Sequence, residues 1–162
     1  MSNVRAAIVR AADEGDKRWF YGGGVHRWMA TAAETDGAFL MFEDEMEQGK
    51  TTPLHLHPEV DESLYLLDGR VLMYLDGERR EVGPGGLVMV PRGMPHAFLV
   101  TSPSCRALVL LTPGIGQDFY YGASEPFDPE QPGVVDFGRI FASAQDNGGI
   151  EILGPPPFAS EG

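Results

Sequence analysis

Cysteine is almost missing from this sequence. Cys105 stands alone, so no intrachain disulfide forms and nothing calls for an oxidising compartment. It follows Pro103-Ser104 with no histidine beside it in sequence, which suits a buried, inert thiol better than a nucleophile. Basic residues are scarce as well. Lys and Arg number 12 against 24 Asp and Glu, a formal net charge of −12. That balance repels a phosphate backbone, and with no basic stripe visible, nucleic acid is not an expected partner. Long apolar runs are also lacking. Met1 to Lys17 mixes Arg5, Arg10, Asp13, Glu14 and Asp16 without a stretch suited to a signal peptide or a membrane span, so the expected address is the cytoplasm, away from membranes. No internal repeat is visible, and 162 residues suit one domain with one core.

Turn residues, by contrast, are plentiful. The 13 prolines and 21 glycines are spread along the chain, the punctuation of many short elements in an all-β domain. The clearest strands are Phe39–Phe42, Leu64–Leu67, Val71–Leu75, Leu87–Val90, Ala97–Val100 and Ala107–Leu111, a spacing that predicts a sandwich or barrel. Asp68-Gly69 and Asp76-Gly77 lie between apolar runs, and Asp-Gly favours two-residue hairpins. Strands 64–67, 71–75 and 79–82 are therefore expected to form a meander. After Pro113 the texture changes. Asp136 can cap a helix over 136–147, with Phe137, Ile140, Phe141 and Ala144 on one face and Gly148-Gly149 as its stop. Gln117–Tyr121 suggests a shorter helical turn, 126–132 a proline-rich extended linker, and Pro155–Pro157 the end of the ordered fold.

Only four histidines are present. His55 and His57 stand two apart after Pro53, so strand periodicity points both imidazoles to one face. Glu62 follows a short acidic bend, and His96 opens another strand after Pro91-Arg92-Gly93-Met94-Pro95. Three imidazoles and a carboxylate suit one divalent transition-metal ion such as Fe, Mn, Ni, Co, Cu or Zn, with exchangeable positions left over in an octahedral shell. His26 lies outside this pattern and reads as structural. The acidic run Glu43, Asp44, Glu45, Glu47 reads as a solvated strand end.

The spacing is also familiar. Gly49, five residues, His55-Leu56-His57, four residues, Glu62, six residues, Gly69 resembles the first cupin motif at its fixed positions. Gly85, five residues, Pro91-Arg92-Gly93, two residues, His96 resembles the second, with Val100 where that pattern usually has asparagine. The resemblance covers residues 39–112. It implies a single all-β cupin barrel, a jelly-roll-like double-stranded β-helix, with metal held by His55, His57, Glu62 and His96. Residues 1–35 would then be an arm with entrance strands, 36–113 the barrel core, and 114–162 an extension with a short helix.

Counting by twos from His96 puts Phe98 and Val100 on the metal-facing side, so the pocket is expected to be apolar. Met41, Leu54, Leu64, Tyr65, Met73 and Met89 are further candidates for its lining. Such a lining favours a flat hydrophobic molecule over a sugar phosphate, Arg92 being the only basic residue of the second motif. The stretches 61–69 and 91–98 look like small bacterial quercetin dioxygenase-like cupins. That likeness implies a metal-dependent dioxygenase of an aromatic or enol substrate using dioxygen, with Glu62 as catalytic base. The alternatives are a non-redox isomerase or cyclase, and a non-catalytic binder of a small ligand. Cupins commonly dimerise through sheet faces, and Val4–Val9 can add a strand to a neighbour, so a homodimer is expected.

Overall fold

The computed structural model describes residues 4–158. Its strands, in chain order, are β1 (Lys17–Phe20), β2 (Val25–Ala30), β3 (Leu40–Glu47), β4 (Leu54–Leu56), β5 (Asp61–Asp68), β6 (Val71–Leu75), β7 (Glu78–Val82), β8 (Leu87–Val90), β9 (His96–Val100), β10 (Ser104–Thr112), β11 (Ser124–Pro126) and β12 (Glu151–Gly154). Three helices, α1 (Ala32–Thr35), α2 (Gln117–Gly122) and α3 (Phe137–Asn147), complete the fold.

Alternation builds the core. β10 buries Cys105, Ala107, Val109 and Leu111 while the residues between them face outward, and β5 does the same with Glu62, Leu64 and Leu66. Two antiparallel sheets result, ordered β11-β1-β2-β3-β10-β5-β8 and β12-β4-β9-β6-β7. Their apolar faces meet in one core, the expected all-β barrel with a short C-terminal helix. No helix among the described residues is long and apolar enough to cross a membrane.

The expected meander forms only in part. Asp76 and Gly77 take φ of 48° and 92°, the two positive values of a tight hairpin turn, and join β6 to β7. At Asp68-Gly69 the chain instead leaves one sheet for the other, because β5 pairs with β8 and β10 while β6 pairs with β7 and β9. Gly69 is needed there for closeness: a Cβ would fall 2.2 Å from the Ser104 carbonyl oxygen.

The C-terminal region ties into both sheets, with β11 on β1 and β12 on β4. Asp136 caps α3 by accepting the Arg139 N–H at 3.4 Å. Ile140 and Ser143 are buried, Phe141 stays exposed, and the Ser143 hydroxyl donates to the Phe119 carbonyl at 2.7 Å, fastening α3 to α2. The described residues run through Pro155–Pro157 to Phe158. Phe158 is buried, with the Arg79 guanidinium 5.9 Å from its ring centroid. Residues 4–9 hold no strand within this chain, and Val4 and Val9 are exposed.

Candidate metal centre

β4 is three residues long and turns only His55 inward; Leu54 and Leu56 face the other way. His57 follows it, its carbonyl accepting the Gly93 N–H at 2.8 Å. β9 pairs with β4 so that His55 and His96 are direct partners. Glu62 arrives from the opposite sheet on β5. The loop that delivers His96 is pinned from outside, where the Arg92 guanidinium donates to the two Asp61 oxygens at 3.2 and 3.3 Å. Arg92 is spent there and turned away from the core.

The four residues are buried, and one donor atom from each lies within 4.8 Å of all the others. Opposite ligands of a first-row ion stand about 4.2 Å apart, twice a metal–nitrogen distance of about 2.1 Å, so the cluster is close to coordinating size. The ring orientations fit as well. Nδ1 of His55 lies 2.7 Å from the Pro53 carbonyl and Nδ1 of His96 lies 2.9 Å from the Met94 carbonyl. Carbonyls only accept, so each Nδ1 carries a proton and each Nε2 faces the cluster. Nε2 of His57 is 2.6 Å from Oε2 of Glu62, yet this buried nitrogen makes no hydrogen bond. An orphaned nitrogen beside three further donors is what a metal ion satisfies.

The charges agree. Burial, then the neighbouring His96 and His57, hold the His55 imidazole down at about 3, so it is neutral and able to ligate. Burial alone would raise the Glu62 carboxyl, but His57 and His96 outweigh it and hold it well below the usual range. Burial would lower His96, and Glu62, 3.3 Å away, raises it instead. A metal ion would displace that proton.

Beside the cluster lies a small apolar cavity of about 50 Å³, which reaches about 690 Å³ only when the open solvent at its mouth is counted. Of the candidate lining residues, Leu64, Met73 and Phe98 stand in its wall. Val100 shares the inward face and is buried, but four residues along β9 carry it about 13 Å from His96, and it does not line the cavity. Met41, Leu54, Tyr65 and Met89 are not in the lining. Each neighbours an inward residue, and strand alternation turns Met41 and Leu54 to the opposite face and leaves Tyr65 and Met89 exposed.

Other wall residues come from segments the spacing does not flag. Phe20 and His26 come from β1 and β2, and Phe119, Tyr120, Ile140 and Ile150 from the C-terminal extension. Asp44 is not a solvated strand end: it is buried in the wall, 2.7 Å from Lys50 Nζ and 3.5 Å from His26 Nε2. Lys50 is thus a basic residue of the cavity, already paired. Tyr120 is buried, which raises its hydroxyl pKa well above the usual value, with Glu62 and Asp44 adding to the rise. Cys105 is buried, and burial with the nearby Asp44 charge pushes its thiol up to about 11, an unreactive form.

Residues 42–112 match the family model described as a cupin domain. The chain is 28% identical over 141 residues to quercetin 2,3-dioxygenase of Bacillus subtilis, covering 85% of this chain and 42% of that protein. It therefore spans less than half the length of that relative. Among solved structures, an RmlC-like cupin from Shewanella frigidimarina superposes with a TM-score of 0.61 at 12% identity, covering 70% of this chain and 96% of that one. The polyketide cyclase RemF from Streptomyces resistomycificus superposes with a TM-score of 0.50 at 28% identity, covering 69% and 79%. Motifs, barrel and comparisons converge: residues 42–112 form a cupin domain, and the fold is a cupin barrel.

Proposed function

We propose that the protein is a metal-dependent dioxygenase of a small, hydrophobic aromatic or enol substrate, with one divalent transition-metal ion held by His55, His57, Glu62 and His96. The observation that carries this is the juxtaposition of the four-residue cluster with an aromatic-walled cavity; similarity to quercetin 2,3-dioxygenase supports it. Bound there, a redox-active ion supplies Lewis acidity and electron transfer toward dioxygen. The chain supplies the rest. Glu62, held ionised, accepts the proton of an acidic enol or phenol. Phe42 and Phe98 hold a flat ring and exclude water. Lys50, paired with Asp44, offers no free cation to a phosphate. The same reading takes a cytoplasmic homodimer.

A non-redox cyclase or isomerase is the second reading, favoured by 28% identity to a polyketide cyclase. A cupin that binds a small ligand without turnover uses the same cavity. Oxygen uptake with quercetin, measured on protein loaded separately with iron, manganese, nickel and cobalt, tests the proposal. Uptake by wild type and its loss by about a hundredfold or more in Glu62→Gln is expected. Fully loaded wild type that consumes no oxygen with flavonols overturns it, and conversion of an enol substrate without oxygen transfers the site to the second reading.

A further inference from the structure

The cavity has a second polar feature, which the metal cluster does not use. His26 on β2 is 2% exposed and stands in the cavity wall. Its ring is stacked between Phe20 and Phe42, with centroids 4.6 and 4.3 Å away, so its plane is fixed. One edge of the ring faces a carboxylate: Nε2 lies 3.5 Å from Oδ2 of Asp44, and Lys50 Nζ lies 2.7 Å from that same oxygen. Burial alone would raise the Asp44 carboxyl; Lys50 and His26 outweigh it and keep it ionised. An ionised carboxylate only accepts, so Nε2 carries the ring proton. Burial keeps the ring neutral against the pull of Asp44.

The opposite nitrogen, Nδ1, is then a bare lone pair. It is buried and has no hydrogen-bond partner among the described residues. Tyr120 meets the ring edge-on at 6.0 Å without bonding to it. Buried acceptors are rarely left without a donor, and this one belongs to a residue lining the cavity beside the metal cluster.

We infer that His26 Nδ1 anchors a ligand hydroxyl, so that the cavity selects phenolic or enolic molecules whose O–H donates to it. It rests on the reading of this cavity as the substrate site and narrows the substrate class. Ethers and plain arenes bring no donor. Carboxylates and phosphates bring acceptors to a lone pair set beside an ionised Asp44. Phe20 and Phe42 lock the ring in place, and Asp44 with Lys50 fixes its tautomer, so His26 is a specificity-determining residue rather than a base.

Zinc-loaded protein, unable to turn over oxygen itself, is titrated with phenol, anisole and toluene. Phenol is expected to bind about tenfold more tightly than anisole in wild type, and that preference is expected to vanish in His26→Phe, which keeps an aromatic ring between Phe20 and Phe42. Equal binding of phenol and anisole in wild type, or a preference that survives in His26→Phe, overturns the anchor; in the second case the hydroxyl seats on the metal, on Glu62 or on Asp44, whose Oδ1 is also unpartnered among the described residues. Should His26→Phe fail to fold, the ¹⁵N resonance of His26 Nδ1 decides in wild type. It moves with phenol and not with anisole if the anchor exists, and is unmoved by both if it does not. Neither readout depends on oxygen uptake, so the anchor and the dioxygenase reading stand or fall separately.

Discussion

Nε2 of His57 comes within 2.6 Å of Oε2 of Glu62, a contact between a residue following β4 in one sheet and a residue on β5 in the other, and no hydrogen bond joins them. A metal ion bound by both side chains would link the two sheets, so its removal should be felt as lost stability. Ligand present at a thousand times its dissociation constant stabilises by about 4.1 kcal/mol, or a melting shift of about 10 °C for a domain of this size. Thermal melts with EDTA and after metal addition should differ by that order. His55→Ala should lose most of the gain, and indifference of wild type to both treatments would refute the cluster as a metal site.

Acid should weaken the metal-free protein. Burial, with His96 and His57, holds His55 at about 3, and burial lowers His26 too. The unfolded chain protonates these rings near pH 6.5. Their contribution is therefore full above about 6.5 and withdrawn as the pH falls below it, for His55 down to about 3, at up to about 1.4 kcal/mol per pH unit for each group. Glu62 acts with the same sign in the carboxylate range, since its folded pKa is depressed. His96 is raised, so its contribution is lost only above about pH 6.5 and does not cancel the others. Urea midpoints in EDTA should step down from pH 7 to 6 to 5.

The buried Asp44–Lys50 pair makes a sharper prediction. Removing one partner leaves the other buried and uncompensated, at a cost of about 3–5 kcal/mol. Asp44→Ala should lower the urea stability by that much, and adding Lys50→Met should restore most of it. If the double variant is as unstable as the sum of the two single changes, the pair is not coupled.

The outer face of β5 and β8 bears on assembly. Leu87 is 65% exposed and Met89 54%, Tyr65 lies directly opposite Leu87, and β8 is the edge strand of its sheet. A contiguous apolar face on an edge is a site for a second copy. Gel filtration should give a dimer for wild type and a monomer for Leu87→Asp; a monomeric wild type, or a dimeric variant, would discard this face as the interface.

Much of this was legible along the chain because it depends on local rules. Each cupin motif is a run of turns and strand starts, so the spacing of His55, His57, Glu62 and His96 already fixed which side chains gather. The same parity, counted from Glu62 and His55, turns Tyr65 and Leu54 outward, a signal present in the sequence. Other features were not local. The departure of β6 from β5 follows from the fit of Gly69 against Ser104, thirty-odd residues on. His26 and Asp44 become wall residues only when β2 pairs with β3, and neither carries a motif that announces it.

Part of the cavity wall comes from outside the stretch that carries the proposed ligands. The four proposed ligands fall between residues 55 and 96, while Phe119, Tyr120, Ile140 and Ile150 close over the same cavity from beyond residue 112. If the proposed function holds, the extension shapes one side of the cavity without supplying a ligand to the ion. Grafting a relative's C-terminal segment onto this barrel offers a way to exchange one substrate for another while leaving the ion's coordination untouched.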